Sequence, residues 1–231
     1  MPDTFSDEEI ALVRERYQQL KRTGPGVVEG ILTMQAVYDG ERIDENFQVK
    51  ITAQNPNSHR IPALYETGGR TKAIAEKYAI VDLRALHYNP NDETACVCVR
   101  QEEKYKYPPG SDLLTFIENL AVPYLYGLTF YDQHQRWPWG DYAHGSLGLL
   151  EFYADEPIEQ NEEDVNDVLT AIRKEINWKD YHKQIRNPNE KKACVCGSGK
   201  PFGTCHEKVC AGLNHLRGEL NRLGMNLKTL F

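Results

Sequence analysis

An α+β fold is predicted for this 231-residue chain by three observations. A capped amphipathic helix opens it, β-type segments separated by turn residues follow, and helical patterns fill the second half. Over residues 6–22, Ile10, Val13, Tyr17 and Leu20 recur at helical spacing. Ser6 stands where an N-cap belongs, and Glu9, three positions on, completes a capping box. Gly24-Pro25-Gly26 ends that helix. Residues 27–38 are rich in Val, Ile, Leu and Tyr, Asp39-Gly40 is a hairpin signal, and Phe47, Val49 and Ile51 alternate with polar neighbours, so an antiparallel meander is expected. Further strands are expected at Ile61–Glu66, ended by Gly68-Gly69, and at Ala79–Leu86, with a helical turn over 71–80 as the alternative.

After Pro108-Pro109-Gly110, residues 111–126 read as a helix. Ser111 is its expected cap, Leu113, Leu114, Ile117, Leu120 and Val122 its apolar face, and Pro123 a kink near its end. The stretch YLYGLTFYDQHQRWPWGDYAHG is too irregular for a regular helix and too aromatic for a solvated loop, and is expected to pack on the core. Residues 151–167 hold eight acids and no base, an acidic connector leading into a helix at 162–178. A linker at 180–192 precedes a cysteine-rich tail. The expected organisation is a main domain over 1–155, a helical connector over 156–190 and a small module with a C-terminal helix over 191–231.

Composition narrows the function classes. With 40% apolar and 26% charged residues the chain is ordinary for a globular protein, and no membrane span is expected. The start of the sequence is acidic and helical in pattern, unlike a secretory signal, so a cytoplasmic location is expected and cysteines are read first as metal ligands or reactive thiols. Net charge is −7, but residues 186–231 hold eight Lys/Arg against three Asp/Glu. Spread over that length, the basic charge reads as solvated surface rather than a nucleic-acid footprint.

The six cysteines form two clusters. Cys96 and Cys98 follow a turn, downstream of His87-Tyr88-Asn89. A free cysteine is often a small buried apolar residue, and these two could be one face of a strand. The segment from His87 to Val97 resembles the active-site segment of ubiquitin-conjugating enzymes. There a His-Pro-Asn tripeptide is followed, after a turn, by an apolar-Cys-apolar triplet; here Tyr88 stands at the proline and Ala95-Cys96-Val97 at the triplet. The order of helix, meander, cysteine and helices agrees with that family's fold. The likeness is closer to the bacterial branch found in CBASS-type antiphage defence operons, through Pro62–Arg70, Pro138-Trp139-Gly140 and the run His144-Gly145-Ser146-Leu147-Gly148.

The resemblance implies a cysteine-dependent acyltransferase in antiviral defence. Cys96 would carry a thioester with the C-terminus of a partner, the CBASS nucleotidyltransferase, and pass it to an acceptor that the sequence does not identify. Asn89 would stabilise the oxyanion or brace the loop. His87 would fix the turn through its ring nitrogens, and His144 or Asp141 would assist the incoming nucleophile. Cys98 is the competing nucleophile. The alternatives are a catalytically silent binding module of the same fold and a nucleic-acid-associated accessory protein.

The second cluster reads C-x-C, eight residues, C-H: Cys194, Cys196, Cys205 and His206, with Cys210 in reserve. Three thiolates and an imidazole joined by a Gly-rich turn match a tetrahedral zinc site. CVCGSGKPFGTCH resembles the SEC-C zinc module. With four protein ligands no position is left open, so the expected zinc is structural. Leu213, Leu216, Leu220, Leu223 and Leu227 form the apolar face of a following helix.

Overall fold

The computed structural model describes residues 4–139, 142–143, 145–155 and 160–226. It is α+β, with an antiparallel sheet and several helices, and its contacts divide it into two compact units, Met1–Gly140 and Asp141–Phe231.

The first unit opens with α1 (Asp7–Arg16), whose capping box is present: the Ser6 hydroxyl accepts from the Glu9 amide, and the Glu9 carboxylate accepts from the Ser6 amide. The helix is shorter than expected. Leu20, the last apolar position of the expected helix, instead pairs with Gly30 as the first residue of β1 (Leu20–Gly24). A four-stranded meander follows in the order β1, β2 (Val27–Tyr38), β3 (Glu41–Thr52), β4 (Ala63–Glu66). Asp39 and Gly40 both take positive φ in the two-residue turn between β2 and β3, as a type I′ hairpin requires. Phe47, Val49 and Ile51 are buried together on one face of β3, as their alternation predicted. Gly30 has φ +143°, and a Cβ there would lie 2.0 Å from the Gln19 carbonyl oxygen. Only glycine lets the chain pass from α1 into β1 so close to β2.

Beyond β4 the expected strand over 79–86 does not form. The chain makes α2 (Arg70–Lys77), reverses at Ala79 with φ 54°, leaves Val81 exposed, and enters a 3₁₀ turn, Leu83–Leu86, capped by Asp82. β-propensity in 79–86 therefore lost to local turn chemistry, because the segment has no strand to pair with. A two-stranded ladder, β5 (Tyr88–Asn89) and β6 (Thr94–Ala95), comes next. It is followed by a second 3₁₀ turn, Arg100–Glu102, and by α3 (Glu103–Lys106).

The helix expected over 111–126 is capped by Asp112 rather than Ser111, through bonds from the Thr115 amide and hydroxyl. It runs through α4 (Leu113–Phe116), a π-helical stretch Ile117–Ala121, and α5 (Val122–His134). Pro123 sits in the first turn of α5, just after the π stretch, where its missing N–H is tolerated. Residues 124–134, expected to be irregular, are helical. Tyr124, Leu125, Tyr126, Leu128 and Phe130 are all buried, so the helix is apolar on every side and shows no amphipathic period. Leu113–His134 is the one helix among the described residues with the length and composition to cross a membrane, but 67% of its apolar window is buried inside the fold, so no clear membrane span stands out. It packs on β2 and β3, and the Tyr126 hydroxyl donates to the Glu41 carbonyl at 3.0 Å.

The second unit is helical: α6 (Ser146–Asp155), α7 (Glu162–Lys174), α8 (Trp178–Arg186), the single turn α9 (Phe202–Cys205) and α10 (Glu207–Arg222). Helix α6, in the stretch expected to close the first domain, belongs by its contacts to this unit, because it lies along α10. Helices α7 and α8, in the expected connector and the start of the linker, likewise contribute to its core. Val165, Val168, Leu169, Ile172, Tyr181 and Ile185 are buried beside Leu213, Leu216 and Leu220 of α10. Leu223 caps α10. Leu227 falls outside the described residues.

Candidate functional site

The first cysteine pair is positioned by the small ladder. The 3₁₀ turn Leu83–Leu86 ends on His87 at φ 49°, which turns the chain into β5. Tyr88 pairs with Ala95 and Asn89 with Thr94, and the Cys96 amide donates to the His87 carbonyl at 2.7 Å, adding one more rung. Opposed residues of an antiparallel ladder share a face, and alternate residues along a strand share a face. Asn89 and Thr94 therefore lie on one side of the hairpin, with Tyr88 and Ala95 on the other, and the alternation carried on past Ala95 puts Cys96 on the Asn89 side.

The turn between the two strands is held by polar side chains. Thr94, almost fully buried, is the hub: its hydroxyl donates to Asp92 at 2.6 Å and accepts from the Asn89 amide at 3.0 Å and from the Asn57 amide at 2.9 Å. Asn57 also donates to the other Asp92 oxygen at 2.9 Å. Burial alone would raise the Asp92 carboxyl, but the bonds from Thr94 and Asn57 outweigh it and hold the group below its ordinary value. Glu93, at φ 61°, is tied to Lys72 of α2 at 3.0 Å. Asn57 also lines a cavity of about 450 Å³ formed by residues 53–59 and Arg100.

Cys96 is exposed, with its Sγ 3.8 Å from the Cys98 carbonyl oxygen. Cys98 is half-buried and packs against the core. Burial pushes its thiol well above the ordinary range, and the Glu103 and Glu102 carboxylates push it further. A group so placed stays a neutral thiol near pH 7, a weak nucleophile. Of the two cysteines, only Cys96 has its thiol open to a reactant.

The ring of His87 meets Trp137 edge-on at 4.5 Å, and the Trp137 indole donates to the Ala85 carbonyl at 3.2 Å. The His87 main chain is bonded to the thiol strand through the Cys96 amide. Trp137 is a core residue, as expected of the aromatic stretch. Asp141 and His144 lie outside the described residues. His134 reaches Glu41 and His215 the Tyr153 carbonyl, both satisfied within the fold. Reading the sequence did not single out Asn57, Lys72 or Thr94. For Thr94 a signal existed, since two positions before Cys96 is the same face of a strand.

In the second unit, Cys194, Cys196, Cys205 and His206 form a possible metal site: their ligand atoms all lie within 4.8 Å of one another. The Cys194 amide donates to the Lys200 carbonyl at 2.8 Å, and Gly197 (φ +80°) and Gly199 (φ +74°) make the turn between them. The single turn α9 then delivers Cys205 and His206 from the opposite side. Cys194 Sγ is 3.3 Å from His206 Nδ1, and Cys196 Sγ is 3.6 Å from Cys205 Sγ. A tetrahedral zinc bound by sulfur and nitrogen has edges of roughly 3.3 to 3.8 Å, so these pairs have the separation that one ion needs. Hydrogen bonds from Ser198 draw the Cys196 thiol down to about 6, whereas burial pushes Cys194 up to about 12. An Asn177 side-chain bond to the Val195 carbonyl ties the knuckle to the start of α8. Cys210, held in reserve, is buried on α10 outside this group.

No known protein family, curated protein or solved structure matches the chain.

Proposed function

We propose that the chain is a ubiquitin-conjugating-enzyme-like acyltransferase whose Cys96 forms a thioester with the C-terminus of a partner protein. One observation carries this reading: Cys96 is an exposed thiol opposite His87 at the end of a short hairpin, on the same face as Asn89, in a unit that opens with a helix and an antiparallel meander. In loading, a bond forms between Cys96 Sγ and the carbonyl carbon of an activated donor, and the donor's leaving group departs. In transfer, an acceptor nucleophile adds to that carbon, the carbonyl oxygen takes the negative charge, and collapse expels the Cys96 thiolate. An N–H of Asn89 is the donor for that oxyanion. Within this reading the fold is that of the ubiquitin-conjugating enzymes, and the donor is the C-terminus of a CBASS nucleotidyltransferase.

The tail is read as a zinc module. Cys194, Cys196, Cys205 and His206 would hold the ion, which would supply folding free energy with no open coordination position.

The test is covalent trapping with the candidate partner. Cys96→Ala should abolish a thiol-sensitive adduct while Cys98→Ala retains it. An adduct that survives Cys96→Ala and disappears in Cys98→Ala refutes the assignment. If no adduct forms with the wild-type protein, the second reading, a catalytically silent binding module, takes its place. That reading is favoured by Tyr88, a buried side chain standing where the resembled tripeptide has proline.

A further inference from the structure

We infer that Thr94 is a positioning residue that sets the Asn89 carboxamide for the oxyanion formed at Cys96; this rests on the transferase reading. A carboxamide nitrogen carries two N–H donors. Thr94 accepts one of them at 3.0 Å. The other remains for a ligand on the face that Asn89 shares with Cys96. The Thr94 hydroxyl is itself oriented: its proton goes to Asp92 at 2.6 Å, so its lone pairs are left to accept from Asn89 and Asn57. Thr94 is 1% exposed, which keeps water from competing for those bonds.

The arrangement explains an otherwise costly choice. Positions 88 and 95, on the other face, are filled by a buried Tyr and Ala, but position 94 buries a hydroxyl that bonds the half-buried Asp92 carboxylate and the amides of Asn89 and Asn57. A valine of the same shape would fill that space without any polar partner to satisfy. Three polar groups converge on this hydroxyl, and one of them is the proposed oxyanion donor. A donor held rigid before charge develops is worth more than one that must be ordered during the reaction.

The test needs no natural partner. Full-length, metal-loaded protein is charged with the glycyl thioester of mercaptoethanesulfonate, then discharged with free lysine under single-turnover conditions. In charging, Cys96 Sγ bonds to the glycyl carbon and the sulfonate thiol leaves. In discharge, the lysine amine forms an amide, the Cys96 thiolate departs, and the amine proton goes to solvent. Removing one oxyanion donor typically slows such a step by about 100-fold or more, so Asn89→Ala should reach that range and Thr94→Val about 10-fold, with the final extent of charging unchanged. Thr94→Ser should restore the rate to within about twofold, since it keeps the hydroxyl. In an Asn89→Ala background Thr94→Val should have no further effect.

A wild-type rate in Thr94→Val, or full additivity of the two substitutions, overturns the inference. Failure of the wild-type protein to charge, or undiminished charging of Cys96→Ala, overturns the transferase reading and takes the inference with it. A second readout is independent of activity. The side-chain amide proton of Asn89 that bonds Thr94 should exchange slowly in ¹⁵N spectra of the wild-type protein and at the rate of a free carboxamide in Thr94→Val. Free-carboxamide exchange already in the wild type would refute the bond on which the inference depends.

Discussion

Two glycines of α10 should respond to alanine with opposite signs. At Gly212 an added Cβ would lie 1.8 Å from the Leu150 carbonyl oxygen and 2.6 Å from its carbonyl carbon. An ordinary contact of this kind is about 3.2 Å or longer, so α6 and α10 would have to separate by more than an ångström, against backbone atoms that cannot rotate away. Overpacking of this kind costs about 1–3 kcal/mol, and a rigid backbone contact belongs at the upper end. Alanine also recovers about 1 kcal/mol of helix propensity relative to glycine. Gly212→Ala should therefore destabilise the second unit by about 2 kcal/mol net, a fall of about 30-fold in hydrogen-exchange protection of α10 amides. Gly218 has nothing within 4 Å of its would-be Cβ and lies in the interior of the same helix. There propensity acts alone, and Gly218→Ala should raise protection by up to about fivefold, or 1 kcal/mol. If both substitutions stabilise equally, the close approach of α6 and α10 is wrong. If both destabilise, the open environment of Gly218 is wrong.

Other consequences concern the cysteines. Cys205→Ser removes one donor from a set whose atoms lie within 4.8 Å, so it should lower the metal content measured by elemental analysis from one equivalent towards zero and loosen the second unit; an undiminished equivalent would show that the ion binds elsewhere. Brief alkylation with iodoacetamide at pH 7.5, read by peptide mass, should modify Cys96 and spare Cys98. Because burial and two carboxylates raise the Cys98 thiol, its labelling should grow only as the pH is taken well above the ordinary thiol range. Equal labelling of both at pH 7.5 would contradict the half-buried placement of Cys98.

What the sequence makes legible is mostly local. The β2–β3 hairpin shows in the alternation of Phe47, Val49 and Ile51 and in Asp39-Gly40, because one face is buried and the turn needs two residues at positive φ. The metal site shows because its four donors fall between positions 194 and 206. Helix α5 was hidden by its own burial, since a helix apolar all round carries no period to read. Residues 79–86 misled for the opposite reason: their β-type residues suggest a strand, and Ala79 at φ 54° and the Asp82 cap decide otherwise. The bracing of the thiol hairpin was hidden by distance. Asn57 reaches Thr94 across 37 positions, and nothing in a turn-like Asn-Pro-Asn-Ser stretch points to that partner.

The two C-x-C pairs share a spelling and differ in what the backbone does after the first cysteine. In a continuing strand both sulfurs of such a pair would face the same way and be equally buried. At the first pair the ladder β5–β6 stops at Ala95, with one added rung at Cys96, and the chain then turns towards the 3₁₀ segment at Arg100. Cys96 is left in solvent and Cys98 against the core beside Glu102 and Glu103, whose charge opposes a second thiolate. Among the described residues no third and fourth donor gathers there. At the second pair, Gly197 and Gly199 fold the chain back so that α9 brings Cys205 and His206 to both sulfurs. Termination of a strand isolates one thiol for chemistry, and a glycine turn collects four donors for an ion. The same C-x-C pattern thus leaves one exposed thiol in the first unit, where group transfer is proposed, and a possible four-donor metal site in the second, with the backbone path deciding between them.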